Sequence, residues 1–348
     1  MSILKRTKAR IAKSRSGAVN CIPTGIKKFD ELTDGVTQGT YFLIAAETSV
    51  GKTAFVRDKF LHTVYEYYKK INDPTKLDVL FLDLTLEITP EMGLAGAMSR
   101  KIYFDYGKVA PAKKILGSLS DEGNALVDSM DDYFEKFQSK CIVFEEDITP
   151  SKYHDILMKV ALANGKFDKQ SNLISECGNY TPNNPNLYTI ILFDTINLAE
   201  IDSDNATIKA TIDRISRISV WFRNKCNFTP IIVQQLNAEL SSVERKRFAV
   251  TTPKLTDVED SKRPGKDCDV AFFLYDPCRH LKDEETIFRG YDMERLKGWY
   301  RSGHLLKNRR GENNKIIHMK FGGAVGLYQE LPPADQMDEE QYKLATKY

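Results

Sequence analysis

Six short runs of apolar, largely β-branched or aromatic residues punctuate the chain: TYFLIAA (40–46), DVLFLDL (78–84), KCIVFEED (140–147), YTIILFD (188–194), TPIIVQQL (229–236) and CDVAFFLY (268–275). Apolar residues fall on both parities, as in strands covered on both faces of a parallel sheet. Stretches of helical period lie between them. TAFVRDKFLHTVYEYYKKI (53–71) sets Phe55, Phe60, Val64 and Tyr67 close to one stripe, and ATIKATIDRISRISVWFRNKC (206–226) does so with Ile212, Ile215, Ile218 and Phe222. Alternation of strand and helix predicts an α/β layered domain. The pattern changes near the end, where GHLLKNRRGENNKIIHMKFGGAVGLYQEL (303–331) predicts a hairpin-like pair of strands around the polar turn 309–314. Segments 165–186 and 277–303 read as polar loops or insertions, and 332–348 as a mobile tail.

Composition narrows this picture only a little. With 348 residues and 42% of them apolar, and with no apolar run near membrane-spanning length, the chain reads as a soluble globular protein. The formal charge of +2 conceals a basic start: MSILKRTKARIAKSRSG carries Lys5, Arg6, Lys8, Arg10, Lys13 and Arg15 without an acid. That stretch lacks the apolar core and cleavage site of a secretory signal. A transit peptide, a solvated arm, and an arm touching nucleic acid or a neighbouring subunit all fit it. The six cysteines form no C-x-x-C pair, and Cys141 and Cys268 border strand-like runs, so free thiols in a reducing compartment and no zinc site are expected.

The candidate chemistry begins at AAETSVGKT, Ala45 to Thr53. A strand, a short turn and Gly51-Lys52-Thr53 opening a helix is the context of a phosphate-binding loop. There, backbone N–H groups cradle phosphates, the lysine reaches the β/γ oxygens and the hydroxyl binds Mg²⁺. The loop departs from the usual pattern in having Ala46 for the first glycine and an acid, Glu47, after it. Asp194 ends an apolar strand, where ligands of open α/β sheets collect, and is the candidate second metal acid. Asp83, Glu87 and Glu91 follow or end a neighbouring strand, and any of them could be a general base or an ordinary cap or surface carboxylate. Gln234 and Gln235 end another strand, to sense a γ-phosphate or to cap.

With these residues in view, IPTGIKKFDELTDGVTQGTYFLIAAETSVGKTAF resembles the start of the RecA-like motor domain of DnaB-type replicative helicases. The resemblance recurs in order down residues 21–331. LTLEITPEM is similar to the segment with the family's catalytic glutamate, matching Glu87, and ILFDTINL to its Walker B strand, matching Asp194. VQQLNAELSSVERKR resembles its Gln-Leu-Asn motif, with Gln235 as γ-phosphate sensor. PKLTDVEDSKRPGKDCDVAFFLY resembles its DNA-loop segment, and LLKNRRG the motif whose cations, here Lys307 and Arg309, reach the ATP of the adjacent subunit. The family also carries alanine where this chain has Ala46. It usually has Arg-Pro in place of Glu47-Thr48, and an Arg-Glu-Ser-Gly pattern in place of Glu259-Asp260-Ser261-Lys262. An acid at 259 disfavours phosphate contact there, while Lys262, Arg263 and Lys266 could supply the lost charge.

The resemblance implies a RecA-like three-layer ATPase domain (21–331) with a mostly parallel central sheet and a C-terminal antiparallel hairpin. A basic arm or linker (1–20) precedes it and a flexible tail (332–348) follows, without the family's N-terminal domain. It implies an ATP- and Mg²⁺-dependent DNA helicase motor for DNA replication. That motor would be a homo-oligomeric ring, hexameric in the family, moving on single-stranded DNA in a bacterial or phage-infected cytoplasm or an organelle, with primase or loader proteins as partners. Ala46, Ser49, Gly51 and Lys52 would hold the nucleotide, Thr53 and Asp194 the metal, and Lys262, Arg263 and Lys266 nucleic acid. Glu87 would activate water, and Gln235 would report to segment 237–266. Glu47 should point away from the phosphates or pair with a cation, such as one from the adjacent subunit. Two other readings share the fold: a recombinase-like or loader ATPase that does not unwind, and a non-catalytic structural protein.

Overall fold

A computed structural model describes residues 17–348 apart from 170, 172–175, 203–206, 238–244, 246–250 and 281–285; ahead of residue 17 it describes Leu4, Lys8, Ile11 and Arg15. Lys5, Arg6, Arg10 and Lys13 of the basic arm, and much of segment 237–266, lie outside the described residues.

The six apolar runs become β1 (Phe42–Ala46), β2 (Asp78–Thr85), β3 (Cys141–Val143), β6 (Leu187–Asp194), β7 (Thr229–Gln235) and β8 (Val270–Tyr275). They lie parallel in the order β8-β1-β7-β6-β2-β3, and β11 (Tyr300–Asn308), β12 (Lys315–Gly322) and β13 (Leu327–Glu330) extend the β8 edge antiparallel to give nine strands. Two minor pairs stand apart: β4 (Gly165–Phe167) with β5 (Tyr180–Pro182), and β9 (Ile287–Phe288) with β10 (Tyr291–Asp292).

Strand alternation divides the core between two faces. Phe42, Ile44 and Ala46 join one cluster with Phe29 of α1 (Lys27–Thr33), Phe55, Phe60 and Val64 of α2 (52–71), and Ala97 of α3 (Pro90–Tyr106). Tyr41, Leu43 and Ala45 join the other, with Leu157 of α7 (Pro150–Ala163) and Ile212, Ile215, Ile218 and Phe222 of α8 (Ile208–Cys226). Three short helices, α4 (Ala112–Gly117), α5 (Asp121–Asp128) and α6 (Asp131–Gln138), lead from α3 to β3. The result is the three-layer arrangement expected for a buried parallel sheet.

Helix α2 begins as α-helix (Lys52–Val56), widens to a π stretch (Arg57–His62) and continues as α-helix (Thr63–Ile71). The π stretch departs from the 3.6 period, and Asp58 through His62 are all buried. Phe55, Phe60 and Val64 keep the expected stripe, but Tyr67 drifts to the half-buried margin. Asp58 makes this tolerable: it binds Lys59 at 3.0 Å, Arg100 at 2.5 Å and the Tyr328 N–H at 2.9 Å.

Three local expectations are corrected. Ile142 and Val143 of β3 are 43% and 42% exposed, because β3 is a short edge strand with β2 as its neighbour. Segment 277–303 is not wholly an insertion, since β11 already starts at Tyr300. The C-terminal pair is a three-stranded ribbon, and the tail carries a last helix, Glu339–Ala345, with Tyr342 and Ala345 buried beside Tyr291, Leu296 and Tyr300. All six cysteines are free. Among the described residues no helix is long and apolar enough to cross a membrane.

The ribbon joins the parallel sheet at a close contact: a Cβ at Gly303 would lie 1.8 Å from the ring of buried Phe272. Gly303→Ala is therefore expected to destabilise the fold by about 1–3 kcal/mol, as overpacking does. A denaturant midpoint equal to the wild type's would show that the ribbon shifts freely.

Candidate active site

The parallel strands discharge their C-terminal ends at one edge. Ala46 is level with Gln235, and Thr85 with Asp194, so the phosphate-like loop, the acid and the glutamine meet there. Ser49 (φ +63°) and Gly51 (φ +104°) adopt left-handed backbone, which turns successive N–H groups to one side as in an anion-binding nest. Gly51 is also sterically required, since a Cβ there would meet Tyr328 and Phe321 at 2.5–2.9 Å. A cleft of about 720 Å³ opens over the loop, lined by Ser49, Lys52, Thr53, Arg57, Glu87 and the turn Gly323–Gly326 among others. That size suits a small ligand such as a nucleotide.

Glu87 is the hub. Lys52, only 4% exposed, donates to its Oε1 at 3.0 Å; Thr53 Oγ1 donates to Oε2 at 3.2 Å, and Gln235 Nε2 to Oε1 at 3.2 Å. The other two candidate bases face elsewhere. Asp83 accepts from Arg57 at 2.8 Å and from Thr85 at 2.5 Å, and Glu91 is exposed in the first turn of α3. Strand alternation splits the two glutamines: Gln235 turns to Glu87, while Gln234 donates to the Glu259 and Ser261 carbonyls at 2.6 and 2.9 Å.

Asp194 is fully buried, and neither carboxylate oxygen has a hydrogen-bond partner. Burial pushes its pKa up to about 7; the Thr53 hydroxyl, facing it from outside hydrogen-bond distance, and the cations Lys52 and Arg57 oppose this, while Glu87 adds to it. An orphaned buried carboxylate beside a hydroxyl is a site short of a cation. Among the described residues no three His, Cys, Asp or Glu side chains cluster as a metal cage. One carboxylate and one hydroxyl, completed by waters and phosphate oxygens, is instead a set that suits Mg²⁺.

Lys307 and Arg309 stand away from this edge. Asn308 is level with Val270, and Val270 with Phe42, the entrance of β1 rather than its exit. Lys307 donates to the Gly265 and Lys266 carbonyls at 3.0 and 2.7 Å. Arg309, half exposed, contacts Asp269 at 3.2 Å and the Lys266 carbonyl at 3.1 Å. Neither joins the constellation around Glu87 of its own chain. Lys262 and Lys266 are exposed beside the short helix α9 (Arg263–Asp267), whereas Arg263 is paired with Asp267 at 2.8 Å.

Glu47 is paired within its own chain: His280 Nε2 donates to Oε2 at 2.7 Å, so no neighbouring subunit is required. Sequence reasoning passed over His280, inside a segment read as an insertion, and Asn197. Asn197 accepts from the Gln235 N–H at 2.9 Å and donates to Asp260 at 2.7 Å, linking the sensor strand to the following loop. No spacing rule singles out either residue, because both contacts join distant parts of the chain.

The fold is that of RecA-like ATPase domains. Similar solved structures are a phage-type ATPase domain determined on its own (TM-score 0.69, 18% identity, 95% of this chain and 99% of that one) and a DnaB-like replicative helicase described with its interactions with primase (TM-score 0.68, 18% identity, 95% and 68%). In sequence the chain is similar to the DnaB replicative helicases of Helicobacter pylori strain J99 (24% identical over 316 residues, 90% of this chain and 50% of that protein) and Buchnera aphidicola (24% over 318 residues, 91% and 57%). That of Geobacillus stearothermophilus is 22% identical over 281 residues, 78% of this chain and 51% of that protein. The chain thus spans about half the length of the curated relatives it matches. No protein-family model matches it. The resemblance to the DnaB-type motor domain is present in both sequence and fold.

The buried acid makes a pH prediction for the protein in chelator. The folded pKa of about 7 lies above the ordinary value of 3.8, so the folded state favours the proton. This stabilisation is full below the unfolded pKa and is lost as pH rises through the folded one. Asp194→Asn should therefore gain melting temperature over wild type on going from about pH 5 to about pH 8. A difference that stays flat would show that the carboxylate is already neutralised.

Proposed function

We propose that this chain is an ATP-hydrolysing motor domain of replicative-helicase type, which works in a homo-oligomeric ring on single-stranded DNA. The convergence of Lys52, Thr53 and Gln235 on Glu87 carries this reading. Incoming phosphates would compete with Glu87 for Lys52, since both are anions seeking the same buried ammonium. Once displaced, the Glu87 carboxylate would be free to take a proton from the attacking water, and its neighbour Gln235 would register whether a γ-phosphate is present. Thr53 and Asp194 would hold Mg²⁺, which supplies charge neutralisation at the phosphate oxygens.

Two features support coupling to nucleic acid. Gln235 and Asn197 connect the site to Asp260, and Gln234 pins the carbonyls of 259 and 261, so a shift at the strand end reaches the segment carrying Lys262 and Lys266. Phosphate contact would rest on those two exposed lysines rather than on Glu259. Lys307 and Arg309, at the opposite edge from their own Glu87, would serve a neighbouring subunit. An arginine supplied in trans can accelerate phosphoryl transfer roughly 10³–10⁵-fold. The replicative context, and contacts with primase or loader proteins, come to this chain from the resemblance alone.

Lys52→Ala and Glu87→Gln should each nearly abolish ATP turnover, with Glu87→Gln still binding nucleotide because the competing negative charge at Lys52 is gone. Subunits carrying Arg309→Ala should regain activity when mixed with Glu87→Gln subunits that are intact at Arg309. Mixtures no more active than their separate components would rule out the trans assignment. Displacement of a strand from a forked duplex would support a helicase, and ATP hydrolysis without it a loader or recombinase-like ATPase.

A further inference from the structure

The residues after β8 hold the phosphate-like loop from outside. Asp276, buried at the end of β8, contacts Arg279 Nε and Arg301 Nη1, each at 3.3 Å. Both arginines then turn to the loop. Arg279 donates to the carbonyls of Thr48 (2.6 Å) and Ser49 (3.0 Å), and Arg301 Nε to that of Val50 (3.0 Å). The Tyr328 hydroxyl lies 3.1 Å from the Val50 carbonyl oxygen and 3.2 Å from that of Gly51. Beside them the buried His280 ring, stacked on Tyr275 at 5.2 Å, donates to Glu47 at 2.7 Å. Every residue from Glu47 to Gly51 is thereby held, and none of these partners lines the cleft over the loop.

Electrostatics gives this arrangement a purpose. A peptide unit that turns its N–H to one side presents its carbonyl to the other, and an anion is repelled by carbonyl oxygens and by a free carboxylate alike. A planar guanidinium can engage two successive carbonyls at once, which a lysine cannot do in the same geometry. We propose that Arg279, His280 and Arg301 are positioning residues for the nucleotide. They draw the carbonyls of residues 48–50 outward and neutralise Glu47, so that the loop offers a polyphosphate amides and no free acid. This inference rests on the ATPase reading above.

The test is the affinity of Mg²⁺ with a non-hydrolysable ATP analogue, measured by calorimetry, with thermal melts confirming that each variant folds. His280→Ala should weaken binding by about tenfold or more, because it releases a carboxylate beside the phosphates. His280→Gln, which keeps a donor, should bind nearly as wild type does. Adding Glu47→Gln to His280→Ala should restore most of the affinity, an outcome that loss of packing alone would not produce. Arg279→Ala should also weaken binding, and it carries the test should His280→Ala not fold. The inference is overturned by wild-type affinity in His280→Ala or in Arg279→Ala, or by a double variant no tighter than His280→Ala. If the wild-type protein itself does not bind the analogue, the ATPase reading fails and takes this one with it. Normal wild-type binding with unaffected variants sinks this inference alone.

Discussion

A loop that receives a polyphosphate must face its amides inward while its carbonyls and any acid find partners on the other side. In this protein that constraint is met by residues distant in sequence. Asp276 orients two arginines, these take the carbonyls of Thr48, Ser49 and Val50, and His280 takes Glu47. The antiparallel ribbon contributes Arg301 and Tyr328, so the added strands help to form the site as well as to extend the sheet. The left-handed turns at Ser49 and Gly51 are stable in this setting because the polar groups they turn outward have partners.

On the inner side the site is poised by opposed charges. Lys52 is buried and would be costly without an anion, and Glu87 supplies one in the absence of phosphate. Asp194 is the converse, a buried acid with both oxygens unsatisfied. A nucleotide with its cation would relieve both at once, giving phosphate to the lysine and positive charge to the aspartate. The glutamines then divide labour by strand parity alone: one faces the reacting edge and the other grips the loop beyond it.

Much of this was legible in the chain. Apolar runs on both parities located the parallel strands, because a sheet covered on both faces leaves no polar side. Ordered motifs gave Lys52, Thr53, Glu87, Asp194 and Gln235, and the fold brings those five to one edge. Less visible were features that depend on neighbours rather than on period. The π stretch at Arg57–His62 answers to the buried Asp58, and the exposure of Ile142 to an edge position. The oddest residue, Glu47, was flagged by composition, but its partner His280 lies 233 positions away, in a segment whose polar character reads as loop.

The central claim is that this edge binds and hydrolyses Mg-ATP in an assembled ring that responds to DNA. Its most direct test is ATP turnover by the purified protein, with and without Mg²⁺ and single-stranded DNA, read alongside its native mass. The account predicts Mg²⁺-dependent hydrolysis, stimulated by DNA, from a species of several subunits. A monomer that neither binds nor hydrolyses ATP under any of these conditions would contradict it.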